Sequence, residues 1–337
     1  MAALKDNRLP NYDVPDYDEL ASAQPPHSSW DVFGRDDQLG TINFITPQRV
    51  AAAARLIKTG RRFGLDHTLT AFEPYPTGTR SPIEHHVFSN NEFHRDDWVD
   101  SFYLQSSSQL DALRHIGHPQ HGFYGGMSSA DNDESSTALG IQNWAREGIA
   151  GRGILLDVPR FFAARGEAYD AASTVVIGAD LLDEIAAAQG VTVLPGDLLL
   201  LRTGWAEQYL AKTPEQRLET PWRQSPGLAQ RHEVLRWLWN HEIALVAADN
   251  LAVEADPVID SDFRTAGEKP PPRGVDHSGM LHRPLIALLG MAVGELWKLD
   301  ELAADCAEDG VYEFFLSCKP LNLVGGVGSP PNAMAIK

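Results

Sequence analysis

Between Leu104 and His121 the chain reads Leu-Gln-Ser-Ser-Ser-Gln-Leu-Asp-Ala-Leu-Arg-His-Ile-Gly-His-Pro-Gln-His. If Phe102 to Leu110 is extended, its side-chain period of two puts Gln105, Ser107 and Gln109 on one face, and Asp111 arrives on that face as the strand ends. If the chain then turns helical, His115 stacks one turn over Asp111. Two amides, a carboxylate and an imidazole in so short a length can bind a metal or move a proton. The same residues would also suit a polar hairpin whose amides cap backbone groups.

Far downstream, a hydrophobic helix is expected from about Pro284, just after His282, to Gly290. Glu295 is then the one acid in an apolar stretch that lasts until Asp300. A carboxylate in such surroundings needs a metal or a cationic partner, and an arginine would satisfy it as well as an ion. Other candidates fall away on spacing. His85 and His86 are neighbours in a strand expected over Ile83 to Phe88, so they face opposite ways and neither is expected to be a ligand. The run from Asp131 has Ser136 where a calcium loop needs glycine and Gln142 where it needs glutamate, so a solvated loop leading to a helix around Trp144 is expected. His232-Glu233 continues Val-Leu-Arg rather than toward a second histidine, and no nucleophile elbow, phosphate loop or dinucleotide fingerprint occurs.

Short apolar runs at Gly153 to Val158, Asp197 to Thr203 and Ile243 to Ala248 suit strands buried on both faces. They alternate with amphipathic helices expected over Ala179 to Gln189, ended by Gly190, and over Leu228 to Asn240. A further helix starts after Thr46 as N-cap with Pro47 at its first position, and ends before Gly60. The pattern is that of an α/β fold with a mixed sheet and flanking helices. Residues 1–29, rich in Pro, Asp and Ser, are expected to wrap the surface or fray, and residues 30–337 to form one domain.

The chain has 337 residues, of which 43% are hydrophobic, enough for a large core, and its net charge of -18 opposes nucleic acid and anionic membranes. A small-molecule substrate is the better match. Cys306 and Cys318 are too few for a disulfide framework and read as reduced thiols. With no signal-like h-region and no membrane-length apolar run, a cytoplasmic location is expected.

These residues resemble the cyclase-type metal-dependent hydrolases, a family that includes kynurenine formamidase and isatin hydrolase. The family motif His-x-Gly-Thr-His-x-Asp-x-Pro-x-His corresponds here to Gln105-Ser-Ser-Ser-Gln109-Leu-Asp111-Ala-Leu-Arg-His115, and its later His and Glu to His282 and Glu295. Asp37-Gln-Leu-Gly-Thr-Ile-Asn-Phe-Ile-Thr-Pro, the run from Gly151 to Val158, that from Gly196 to Trp205, and Gly325-Gly-Val-Gly-Ser-Pro-Pro-Asn-Ala are similar to further landmarks of the family, so the likeness extends from Trp30 to the C-terminus. The two glutamines mark a branch similar to trans-dienelactone hydrolase.

The resemblance implies a swivelling β/β/α domain, a homo-oligomer and one divalent ion, Zn or Mn. Asp111, His282 and Glu295 would hold the ion with Gln109, Gln105 would complete the shell or touch substrate, and His115 would be general base and acid. It further implies hydrolysis of a lactone, cyclic amide or related ester. A lyase or cyclase acting through an enolate, and a non-catalytic binding protein, are the alternatives. Arg114 or Arg152 would be available to hold a substrate carboxylate.

Overall fold

The computed structural model describes residues 12–219, 224–264, 267, 269 and 275–337. Its strands are β1 (Arg62–Gly64), β2 (Glu84–Asn91), β3 (His94–Asp100), β4 (Gln109–Asp111), β5 (Ile149–Asp157), β6 (Val176–Ile177), β7 (Leu198–Arg202), β8 (Gly227–Leu228), β9 (Leu245–Ala248), β10 (Ala292–Glu295), β11 (Glu313–Cys318), β12 (Gly328–Ser329) and β13 (Ala333–Ile336). The helices are α1 (Pro47–Ala53), α2 (Gln142–Glu147), α3 (Val158–Ala164), α4 (Ala179–Ala188), α5 (Trp205–Leu210), α6 (Pro214–Glu219), α7 (His232–Asn240) and α8 (Asp300–Asp309).

A mixed sheet runs in the order β1-β13-β11-β5-β7-β9-β10-β4-β12. Its centre, β5-β7-β9-β10, is parallel, and both flanks are antiparallel. The central strands read Leu-Leu-Leu-Leu and Leu-Val-Ala-Ala because helices such as α4 and α7 leave neither face to water. The α/β fold with a mixed central sheet and flanking helices is thus the one expected from the sequence.

Several local expectations need correction. The helix expected from Leu228 begins only at His232, since Gly227–Leu228 pair with Val176–Ile177 as a short parallel ladder. Of the segment expected to wrap the surface or fray, the part from Tyr12 onward packs against the rest of the chain. Tyr17 is fully buried, its hydroxyl lies 2.7 Å from His232 Nδ1, and its N–H donates to Asn240 Oδ1. Ser29 and Trp30 donate to the carbonyls of Leu288, Leu289 and Ala287. Pro and Asp content thus marks an irregular but packed segment; residues 1–11 lie outside the described ones. His85 and His86 sit on the exposed β2-β3 hairpin, beside Asp97 and against Trp98 respectively. Cys306 and Cys318 are buried and unpaired.

Candidate active site

The site forms where β4 crosses between β10 and β12. Gln109 lies directly opposite Glu295 and Asp111 opposite Val293, so the alternation along β4 puts Gln109 and Asp111 on the face that carries Glu295. The strand is shorter than expected. Residues 102–108 form turns instead, because Ser107 and Ser108 use their hydroxyls on the Thr68 and Leu296 carbonyls rather than leaving the backbone to a ladder. Trp297 Nε1 donates to the Gln109 carbonyl at 2.9 Å and pins β4 from the other side. After Asp111 the chain makes a single turn, closed by His115 N–H on the Ala112 carbonyl, which brings His115 Nε2 to 3.8 Å from Asp111 Oδ2.

His282 enters at the start of the hydrophobic helix expected near Pro284, which is a π-helix over Arg283–Leu288. Such wide turns recur at functional sites. Glu254 fixes the imidazole: its Oε2 accepts Leu281 N–H and its Oε1 accepts His282 Nδ1–H, both at 2.7 Å. Nε2 is thereby aimed at Glu295 Oε1, 2.8 Å away, with Asp111 Oδ2 at 3.8 Å. The ligand atoms of Asp111, His282 and Glu295 all lie within 4.8 Å of one another, and all three residues are buried.

Among the described residues, Asp111 Oδ2 has no hydrogen-bond partner. Leaving a buried carboxylate oxygen bare costs on the order of 1–3 kcal/mol, so its position beside the His282 imidazole and the Glu295 carboxylate fits a divalent cation. The donor set of two carboxylates and one imidazole suits Zn or Mn alike.

The glutamines differ from the expectation. Gln105 Nε2 donates to Asp111 Oδ1 at 2.6 Å and lies 3.3 Å from His115 Nε2. It reaches there because the neighbouring Gly328 has no side chain, where a Cβ would come within 2.7 Å of the amide. Gln109 Nε2 donates to Glu295 Oε2, while its Oε1 accepts from Arg80. Both amides therefore turn donors toward the carboxylates, and Gln109 does not present its oxygen to the group as a ligand would. Gln105 orients Asp111 and His115 and is not among the residues that line the cavity.

Burial holds the Asp111 and Glu295 carboxyls above the usual range, for Glu295 with help from Asp111. His282 is raised too, for a different reason: burial disfavours its charge, but Glu254 and Glu295 outweigh it and keep the imidazole protonated well above the ordinary histidine range in the metal-free chain. His115, pushed down to about 4 by burial and then by His282, is neutral at pH 7. With Gln105 donating toward it, its Nε2 is an acceptor.

These groups open onto a cavity of about 240 Å³ whose walls include Tyr75, Arg80, His115, Met280 and Glu295. Arg114 does not belong to it. Its guanidinium is buried and donates to the carbonyls of Asp133, Ser136 and Gly325, tying two loops together. Arg152 is likewise occupied by Asp197 and Glu313. Sequence reasoning missed Glu254, Arg80 and His277. Glu254 carried a signal, as an acid in the apolar run Leu-Ala-Val-Glu-Ala.

A mixed α/β sheet carrying a buried Asp-His-Glu cluster beside a cavity defines the class. The chain belongs to the cyclase family, whose model matches residues 63–255. A crystal structure described as a novel cyclase is 34% identical over 92% of this chain and 99% of its own, with a TM-score of 0.75. A structure of an isatin hydrolase bound to the product analogue thioisatinate (17% identity, 86% of this chain, 98% of that one, TM-score 0.52) shares the fold. So does isatin hydrolase A from Ralstonia solanacearum (16%, 87% and 98%, TM-score 0.53). No curated protein matches the chain significantly.

Proposed function

We propose that the chain is a metal-dependent hydrolase that opens a lactone, cyclic amide or related ester of a small molecule. The observation that carries this reading is the unpartnered Asp111 Oδ2 set against His282 Nε2 and Glu295 beside a cavity. Asp111, His282 and Glu295 would hold the ion, which when bound supplies a Lewis acid for the scissile carbonyl and an acidified water. With an ion bound, Glu254 would hold His282 as the tautomer protonated at Nδ1, leaving Nε2 as the ligand atom, and Gln109 and Gln105 would steady the carboxylates. His115 Nε2, neutral and within a turn of Asp111, accepts the proton of the attacking water and returns it to the leaving oxygen or nitrogen, a role worth roughly 10²–10⁴-fold. Leu251, Ala252, Val275 and Met280 provide the apolar walls that limit bulk water at the reacting carbonyl.

The test is turnover of a panel of γ- and δ-lactones and cyclic imides by the Mn- or Zn-loaded protein in ¹⁸O-labelled water. One labelled oxygen in the ring-opened product is expected. Isomerised or dehydrated product without label would replace hydrolysis by enolate chemistry, and failure across the panel would point to a binding protein.

A further inference from the structure

Resting on that hydrolase reading, we infer that the cavity takes substrates carrying a carboxylate, and that Arg80, with Thr77 and Thr79, forms the subsite for it. Among the described residues that line the cavity, Arg80 is the sole guanidinium or ammonium. One of its nitrogens, Nη1, is occupied: it donates to Tyr75 Oη at 2.6 Å, to Gln109 Oε1 at 3.2 Å and to the Gln105 carbonyl. Its Nη2 and Nε have no partner among the described residues. The guanidinium carbon lies 4.4 Å from the centre of the Tyr75 ring, and Tyr75 is itself locked into a cluster with Phe72, Trp205 and Tyr209. The fork is therefore held in place before any ligand arrives, with open donors left on it, the arrangement that favours planar anions over neutral groups.

A divalent ion cancels Asp111 and Glu295, and Glu254 is engaged by Leu281 and His282 rather than lining the cavity. Asp256, the further carboxylate on the wall, is itself partnered. Arg80 is half-buried and has no carboxylate within ion-pair distance among the described residues, so an incoming anion would be its counter-charge. Thr77 and Thr79 line the same wall, their hydroxyls 2.6 Å apart, so that one is left able to donate. A carboxylate at this wall, with an apolar body on Leu251, Val275 and Met280, would leave its reacting carbonyl toward the Asp111, His282 and Glu295 group.

The experiment is calorimetric binding to the Mn-loaded protein of two probes that lack the scissile lactone carbonyl: tetrahydrofuran-2-carboxylate and the matching neutral 2-carboxamide. Binding is read without turnover, so a chain that prefers the carboxylate yet hydrolyses nothing fails the hydrolase reading while keeping this subsite, and the converse result removes only the subsite. The native protein is expected to favour the carboxylate by about ten- to a hundredfold, as one charge-assisted contact would give. Arg80→Gln should bring the ratio near one, and Arg80→Lys should keep part of it, with metal content unchanged in both. No preference in the native protein overturns the proposal. So does a preference that survives Arg80→Gln, which would place the carboxylate on the metal, or loss of the ion in both variants, which would make Arg80 a support of the Gln109 amide.

Discussion

Glu254→Gln tests the tautomer argument at a residue that would not itself touch the ion. In the native chain Glu254 accepts two hydrogen bonds, from Leu281 N–H and from His282 Nδ1–H, each at 2.7 Å. Glutamine is nearly isosteric but has only one oxygen. The buried Leu281 N–H requires that oxygen, which leaves the NH₂ facing His282 Nδ1. Nδ1 must then accept, so the proton moves to Nε2, the atom that faces Asp111 and Glu295. Binding an ion must now either invert the tautomer, pairing two donors, or leave Leu281 unsatisfied. Partners of this kind change metal affinity by about 10–100-fold, or about 1.4–2.8 kcal/mol. Competition against a chelator of known affinity measures the change, with thermal unfolding of the metal-free variant as the control for folding. Unchanged affinity in a folded Glu254→Gln protein would refute the role assigned to Glu254.

Three other outcomes follow from the same geometry. His115→Ala should keep its metal and lose about 10²–10⁴-fold in turnover, measured by elemental analysis beside steady-state rates, since its ring lies outside the ligand group. Arg114→Ala should cost about 3 kcal/mol in denaturant unfolding, because three carbonyls lose a buried charged donor, with KM unchanged in the folded protein. His282, Asp111, Glu254 and Glu295 all hold their protons more tightly in the folded metal-free chain than in the unfolded one. Their stabilisation is full below the unfolded values, about 4 for the carboxyls and about 6.5 for His282, and is lost as pH rises through the folded ones, so the metal-free chain should lose stability with rising pH from the acid range upward. Since an ion replaces the His282 proton, the rise in Tm on adding metal should grow over the same range, as a calorimetric pH series would show.

The sheet was legible because its central strands are uniform apolar runs and the intervening helices carry a clear period, as at Ala179–Ala188. Glu295 stood out as an acid in apolar sequence and Asp111 by its spacing from His115, while the grouping of Asp111, His282 and Glu295 was implied by the family resemblance; the structure brings these three together. What the sequence could not show is orientation. Whether Gln109 turns its oxygen or its nitrogen to the site is decided by Arg80, twenty-nine residues away in the chain and placed by Tyr75. Arg114 looked available for substrate because nothing in its neighbours reveals that loops at Asp133–Ser136 and at Gly325 fold over it. The packing of Tyr17 was hidden for the same reason: its partners His232 and Asn240 lie over two hundred residues on.

The central claim is that Asp111, His282 and Glu295 together hold one divalent ion on which activity depends. Elemental analysis of the protein isolated without added metal, run beside His282→Ala, tests it most directly. Two carboxylates neutralise one dication, and a second nearby would meet strong repulsion, so one tightly held Zn or Mn per chain is expected, absent from His282→Ala together with activity. Two tight ions per native chain, an ion retained in His282→Ala, or full turnover by verified metal-free protein would contradict it.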